Sequence, residues 1–192
     1  MKRIVLLISL VAALTLCAGA QTFIDFHEMP IAKTPQTMPD NYPSTVNLYW
    51  DNFFYVTPGL WTGEGPGFWV DPATLHNSVA FVGGPMCPLT VPCTSSLKMD
   101  AVQPNAKIQT FTPVSMSVSA GWAANNVIIT AYNHGYFVGQ MTLKLTTTPH
   151  TFSFPATWKV TQLAFTPTFI PTNAIYPKAG SMVIYSFVLM QH

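Results

Sequence analysis

Ser115 to Leu145 reads SMSVSAGWAANNVIITAYNHGYFVGQMTLKL, and its period is two. Met116, Val118, Ala120 and Trp122 share one parity, while Ser115, Ser117 and Ser119 take the other. Successive side chains of an extended chain point to opposite faces, so this is a half-buried strand with a serine-lined outer face. The segments VIITAY and YFVGQMTLKL flank Asn133-His134-Gly135, a short turn whose glycine accepts positive φ. They read as a hairpin. A helical alternative finds no room. Seventeen prolines are scattered along the chain, and no uninterrupted stretch shows a 3.6-residue period.

Strand signals recur on both sides of this segment. TFIDFHE, VNLYWDNFFYV, NSVAFVG, SSLKMDA and KIQTFT precede it, and HTFSFP, VTQLAFTPT and SMVIYSFVLM follow it. Short strands separated by Pro, Gly and Asn turns predict an all-β antiparallel sandwich of about 8–10 strands. A lipocalin-like barrel is the alternative, disfavoured by irregular strand spacing and the long loop from Thr57 to Asn77. Proline-rich MPIAKTPQTMPDNYP reads as an ordered crossover between the first strands.

The N-terminus predicts a destination. Lys2 and Arg3 precede an apolar run from Ile4 to Leu16, and Ala18-Gly19-Ala20 supplies a small-x-small cleavage site. This is the pattern of a secretory signal peptide over residues 1–20, leaving 21–192 as a single β-sandwich domain. The apolar run is too short for a bilayer span, so no stable membrane insertion is expected. Leu16 stands where a lipoprotein signal needs a small residue. The C-terminal AGSMVIYSFVLMQH lacks the polar spacer of a lipid-anchor signal and reads as a final buried strand. Secretion makes Cys87 and Cys93, in MCPLTVPC, a natural local disulfide.

Charge excludes one partner class. Without Lys2 and Arg3, six lysines face seven acidic residues and no arginine remains. Nucleic acid would need a basic patch and bidentate phosphate forks, and neither is present. Charged residues are 8% of the chain, so Ser, Thr, Asn and Gln must supply the surface polarity.

FIDFHEMP, MPDNYPSTVNLYWDNFFYV, NSVAFVGG, VSMSVSAGWAANNVIITAYNHGYFV and HTFSFPATWKVTQLAFTPT, in this order, resemble exported fungal and bacterial proteins with a galactose-binding-like jelly roll. Most of these have no known function. The resemblance implies a jelly-roll-type sandwich. It also implies a structural calcium held by acidic residues of the first and last strands. Asp25 and Glu28 match the first part, but the last strand reads Val188-Leu189-Met190 where an acidic pair belongs. The ligand set is therefore incomplete, and no cofactor is expected.

Enzyme signatures are missing. There is no Gly-x-Ser-x-Gly, His-Glu-x-x-His or phosphate loop, and the carboxylates are dispersed. A glycosidase would need two of them across a cleft, and only Glu64 and Asp71 share one loop. Adjacent His27 and Glu28 are expected on opposite faces of a strand. The segment PGLWTGEGPGFWVDPATLHN places Trp61 and Trp69 among glycines with Glu64, Asp71, His76 and Asn77. Aromatic rings stack on the C–H faces of sugars while such polar groups fix the hydroxyls, and the competing expectation is that both indoles cover the core. Tyr132, Asn133, His134 and Tyr136 at the hairpin form a second candidate ligand edge. Trp50, Trp122 and Trp158 lie within strand patterns and are expected in the core. These features predict a secreted, non-catalytic sandwich that binds a neutral glycan or cell-wall polysaccharide. An adhesive or structural role and a hydrolase of unusual site are the alternatives.

Overall fold

The computed structural model describes residues 20–69, 77–82, 94–99, 109–168 and 182–192. These form twelve strands: β1 (Gln21–Ile24), β2 (Gln36–Thr37), β3 (Leu48–Asp51), β4 (Phe54–Val56), β5 (Val79–Val82), β6 (Ser95–Met99), β7 (Phe111–Ala120), β8 (Asn125–Asn133), β9 (Tyr136–Leu145), β10 (His150–Ser153), β11 (Gln162–Thr168) and β12 (Met182–Gln191). The fold is all-β, as expected.

Four antiparallel pairings nest around the turn at His134-Gly135: β8 with β9, β7 with β10, β6 with β11 and β5 with β12. Successive pairs fall in alternate sheets, so one long hairpin is wrapped around itself as a jelly roll. The five-stranded sheet runs β3-β6-β11-β8-β9, and the seven-stranded sheet runs β10-β7-β12-β5-β4-β2 with β1 also on β12. The strand count exceeds the expected one because short pieces flank the eight wrapped strands. VNLYWDNFFYV is two strands: Asn52 adopts φ 60°, and the chain passes from β3 in one sheet to β4 in the other. A short polar side chain tolerates that left-handed conformation, which a bulky residue does not.

The main core fills the space between the sheets. Trp50 packs edge-on to Phe53 with ring centroids 5.1 Å apart, and Phe53 meets Phe165 at 5.7 Å. Trp50 and Trp158 are buried in this core, as expected from their strand patterns. Parity holds along β7, where Met116, Val118 and Ala120 point inward.

A second, smaller core lies on the outer face of the seven-stranded sheet. Ala80 and Val82 of β5 enter the main core, whereas Val79 and Phe81 point the other way into a cluster with Val56, Trp61, Phe68, Trp122 and Val183. A strand apolar on both faces needs cover on both. The segment from Thr57 to Trp69 provides it. Its glycines allow a close approach: a Cβ on Gly67 would lie 1.6 Å from the Ala120 carbonyl oxygen, and one on Gly65 2.4 Å from that of Gly121. The register of β12 against β7 shifts at Tyr185, between Ile184 and Ser186. Such a bulge re-aims one side chain. The Tyr185 hydroxyl accepts the Trp69 N–H at 3.1 Å and donates to the Gly67 carbonyl, while Ser119 Oγ donates to the same oxygen at 2.6 Å. Ser119 is thereby fully buried, an exception to the serine-lined wet face.

Candidate functional site

On the outer face of the five-stranded sheet, the register lines up side chains from distant parts of the chain. Tyr49 of β3 lies opposite Lys98 of β6, Lys98 opposite Gln162 of β11, Gln162 opposite Tyr132 of β8, and Tyr132 opposite Phe137 of β9. At the usual strand spacing this transverse row is roughly 19 Å long. Inward neighbours fix the parity: Leu48, Trp50, Leu97, Met99, Leu163 and Ala131 all face the core. Phe137 joins the row through an irregularity. Strict alternation would place it with Met141 and Leu143 on the core side, but the register shifts by one residue between Ala131 and Tyr132, leaving Val138 extra. The ring is then 65% exposed.

The next row along the strands is polar except at its centre: Asp51, Ser96, Ala164, Thr130 and Gln140. Gln140 donates to Thr130 Oγ1 at 3.1 Å, and Lys98 Nζ approaches Asp51 Oδ2 at 3.4 Å. That ion pair is half-exposed, so it holds the two groups only weakly.

At the hairpin end, a cleft of about 430 Å3 opens between Tyr49, Lys98, Met99, His134, Gly135, Thr161 and Gln162. Three backbone segments are sewn together beneath it. The Met99 N–H donates to Thr161 O at 3.0 Å, and the Thr161 N–H donates to Tyr132 O at 2.9 Å. The His134 N–H donates to Thr161 Oγ1 at 2.9 Å, holding His134 at φ 48° and Gly135 at 83° in the turn.

Among the described residues, the expected site residues do not converge on one place. Trp61 is a correction: it is only 9% exposed and packs against Phe68, Phe81 and Trp122, at 5.9 Å from Phe81 and nearly parallel to it. The apolar outer face of β5 and β12 claims this indole, and the glycines that suggested an open binding loop instead let the loop lie flat. Glu64 is half-buried and accepts the Gly59 N–H through both oxygens, at 3.1 and 2.8 Å. Burial pushes its carboxyl above the usual range, against the lowering effect of the Gly59 bond. Trp69 is 50% exposed, with Nε1 donating to Thr147 O at 2.9 Å. Asn77 is half-buried ahead of β5. Asp71, His76, Cys87 and Cys93 lie outside the described residues, as does the predicted signal sequence up to Gly19.

The hairpin fares differently. His134 lines the cleft, Tyr132 belongs to the transverse row, and Tyr136 is 79% exposed at the tip. Asn133 is half-buried, and its Oδ1 has no hydrogen-bond partner among the described residues. The tryptophan loop covers one sheet and the hairpin ends the other, so the two candidate edges are separate. Tyr49, Lys98, Thr161, Gln162 and Phe137 were missed. The polar parity of LYWD, SSLKM and QLAFTPT marked Tyr49, Lys98 and Gln162 as outward-facing, but only the pairing brings them together.

Asp25, His27 and Glu28 also need correction. β1 ends at Ile24 and the chain turns, with Met29 N–H donating to Phe26 O at 3.1 Å. His27 therefore reaches both carboxylates, pairing through Nδ1 with Asp25 and approaching Glu28 through Nε2 at 3.8 Å. With Asp25 engaged by an imidazole and no carboxylate on β12, these residues do not fit a calcium ion. The Asp25 hydrogen bond and charge raise the His27 pKa above 6.5. A raised folded-state pKa favours the protonated native form, so its stabilising contribution is present below the ordinary histidine pKa and lost as pH rises through the folded value. NMR titration should place the His27 midpoint above that of a model histidine, and Asp25→Asn should return it there. An unchanged midpoint in the variant would rule out the Asp25 pairing as its cause.

No family model and no curated protein matches the chain. Solved structures with a similar course include the family 32 carbohydrate-binding module of C. perfringens NanJ in complex with galactose, at 12% identity over 74% of this chain and 93% of that one, with a TM-score of 0.38. A variant of the second family 29 carbohydrate-binding module, complexed with mannohexaose, is 7% identical over 90% of this chain and 92% of the other, with a TM-score of 0.43. A further family 29 module is 10% identical over 90% and 89%, with a TM-score of 0.38.

Proposed function

We propose that this is an exported, non-catalytic β-sandwich that binds glycan across the outer face of its five-stranded sheet. The observation that carries this reading is the transverse row, in which Tyr49 at one end and Tyr132 and Phe137 at the other flank the amine of Lys98 and the amide of Gln162. Sugars offer C–H faces that stack on rings and hydroxyls that donate and accept hydrogen bonds, and the row supplies both kinds of partner on a rigid sheet. Lys98 and Asp51 offset each other's charge, Lys144 at the far end of β9 is a further charge on this side, and Thr130, Gln140 and Gln162 add neutral donors and acceptors, so the polymer that suits most of this face is uncharged, as in many cell-wall polysaccharides. No helix of the described residues is long and apolar enough to cross a membrane, and the N-terminal pattern supports secretion.

Pull-down on insoluble polysaccharides and a glycan array test the proposal. Tyr132→Ala or Tyr49→Ala should weaken binding by about 1–3 kcal/mol, as when an aromatic anchor is truncated. Both rings are half-buried on the outer face, so the Tm should fall only slightly. Folded wild-type protein that is retained on no polysaccharide would sink the proposal.

One observation favours a second reading, adhesion to other proteins. β9 is a ten-residue strand at the sheet edge, and Tyr136, Phe137 and Val138 are exposed at its tip. A long apolar edge is a template for pairing with another chain. Self-association in light scattering that added sugars do not alter would favour this alternative.

A further inference from the structure

The cleft at the hairpin end brings two nitrogen bases to one place. We infer that it takes an acidic sugar unit, a uronate, carried on an otherwise neutral glycan; this rests on the glycan reading of the same face. Among the described residues that line the cleft, Lys98 and His134 are nitrogen bases and none is a carboxylate. Tyr49, Thr161 and Gln162 add hydroxyl and amide groups that can fix ring hydroxyls. Met99 contributes an apolar wall.

Among the described residues, Lys98 is paired with Asp51, two residues along β3 from Tyr49, in the next register row. It contacts Lys98 through one oxygen at 3.4 Å, and both side chains are about half-exposed. Such a pair is held loosely, so the Lys98 ammonium can turn to a second carboxylate without leaving Asp51 buried and unpaired. The backbone beneath the cleft is tied together by hydrogen bonds. The His134 backbone is held at the mouth by its N–H bond to Thr161 Oγ1 and by a turn in which its φ is 48°. A ligand carboxylate entering there meets positioned donors, and hydrogen bonds to charged partners are stronger than neutral ones.

The test uses uronate polysaccharides from plant, bacterial and fungal sources, each compared with its carboxyl-reduced counterpart. Within a pair only the carboxylate differs, having become a hydroxymethyl group. The intact chain should bind the uronate member about ten-fold more tightly at low salt, the size expected of one charge-assisted hydrogen bond. High salt should erase the difference. Lys98→Met keeps the aliphatic stem and removes the charge, and His134→Asn keeps a residue tolerant of positive φ. Each should shrink the preference, and the double variant should abolish it. Equal binding of both members of every pair would overturn the inference and leave the glycan face standing. Binding of neither member of any pair, by protein shown to be folded, would overturn the glycan face and the inference together.

Discussion

Trp61→Ala is expected to cost about 3–5 kcal/mol of stability, the range for truncating a buried Trp or Phe. Its indole closes the second core, edge-on to Trp122 at 5.8 Å and to Phe68 at 5.5 Å. Its removal strips part of the cover from Phe81, Val79 and Val183. Retention on polysaccharide should be unchanged wherever the variant is folded, because the loop lies over the seven-stranded sheet and the transverse row is on the other. Chemical denaturation and a polysaccharide pull-down check both halves. A near-normal Tm with lost retention would contradict this assignment. Trp122→Ala should be similarly costly, but the two losses should not add. Both rings belong to one contact cluster, and neighbours of this kind couple.

Gly67→Ala should be more damaging than its single methyl group suggests. The added Cβ meets the backbone carbonyl of Ala120 at 1.6 Å, which no rotamer change can relieve. The Gly67 N–H also donates to Gly121 O at 2.9 Å, so lifting the loop breaks a buried hydrogen bond and uncovers Phe68 and Trp61. Overpacking commonly costs about 1–3 kcal/mol, and a clash with backbone belongs at or above the top of that range. Gly135→Ala makes the contrast. An added Cβ there meets nothing within 4 Å, but φ is +83°, so the cost is conformational and roughly 1 kcal/mol. Thermal denaturation of the two variants should rank them in that order. Equal and small losses would show that the loop is free to lift.

The fold class was legible because it follows from local pattern. The alternation in SMSVSA placed Met116, Val118 and Ala120 inside and half-buried Ser115 and Ser117 outside. The Asn133-His134-Gly135 turn was legible for the same reason: a left-handed pair flanked by two apolar runs has few other uses. Trp122 shows how far such logic extends. Its parity predicted burial, and it is buried, but the strand ends at Ala120 and the turn carries the ring to the opposite side of the sheet.

The site was much less legible. Glycines beside tryptophans have the same composition whether they open a loop for a ligand or flatten it onto a hydrophobic face. The choice was made by Val79, Phe81 and Val183, whose outward apolar side chains required a cover. The candidate face is built from Tyr49, Lys98, Gln162, Tyr132 and Phe137, five residues from five strands. Alternation fixes only which side of its own strand a residue occupies. Which residues become neighbours across a sheet depends on the nesting of the strands and their register, and the single extra residue at Val138 decides where Phe137 points. The sequence by itself therefore determined the strands, their inward faces and the central turn, since these are set by backbone sterics and side-chain polarity within a few residues. The tertiary structure decided which aromatic rings were covered and which polar ones shared a surface, since those depend on what long-range pairing leaves for water.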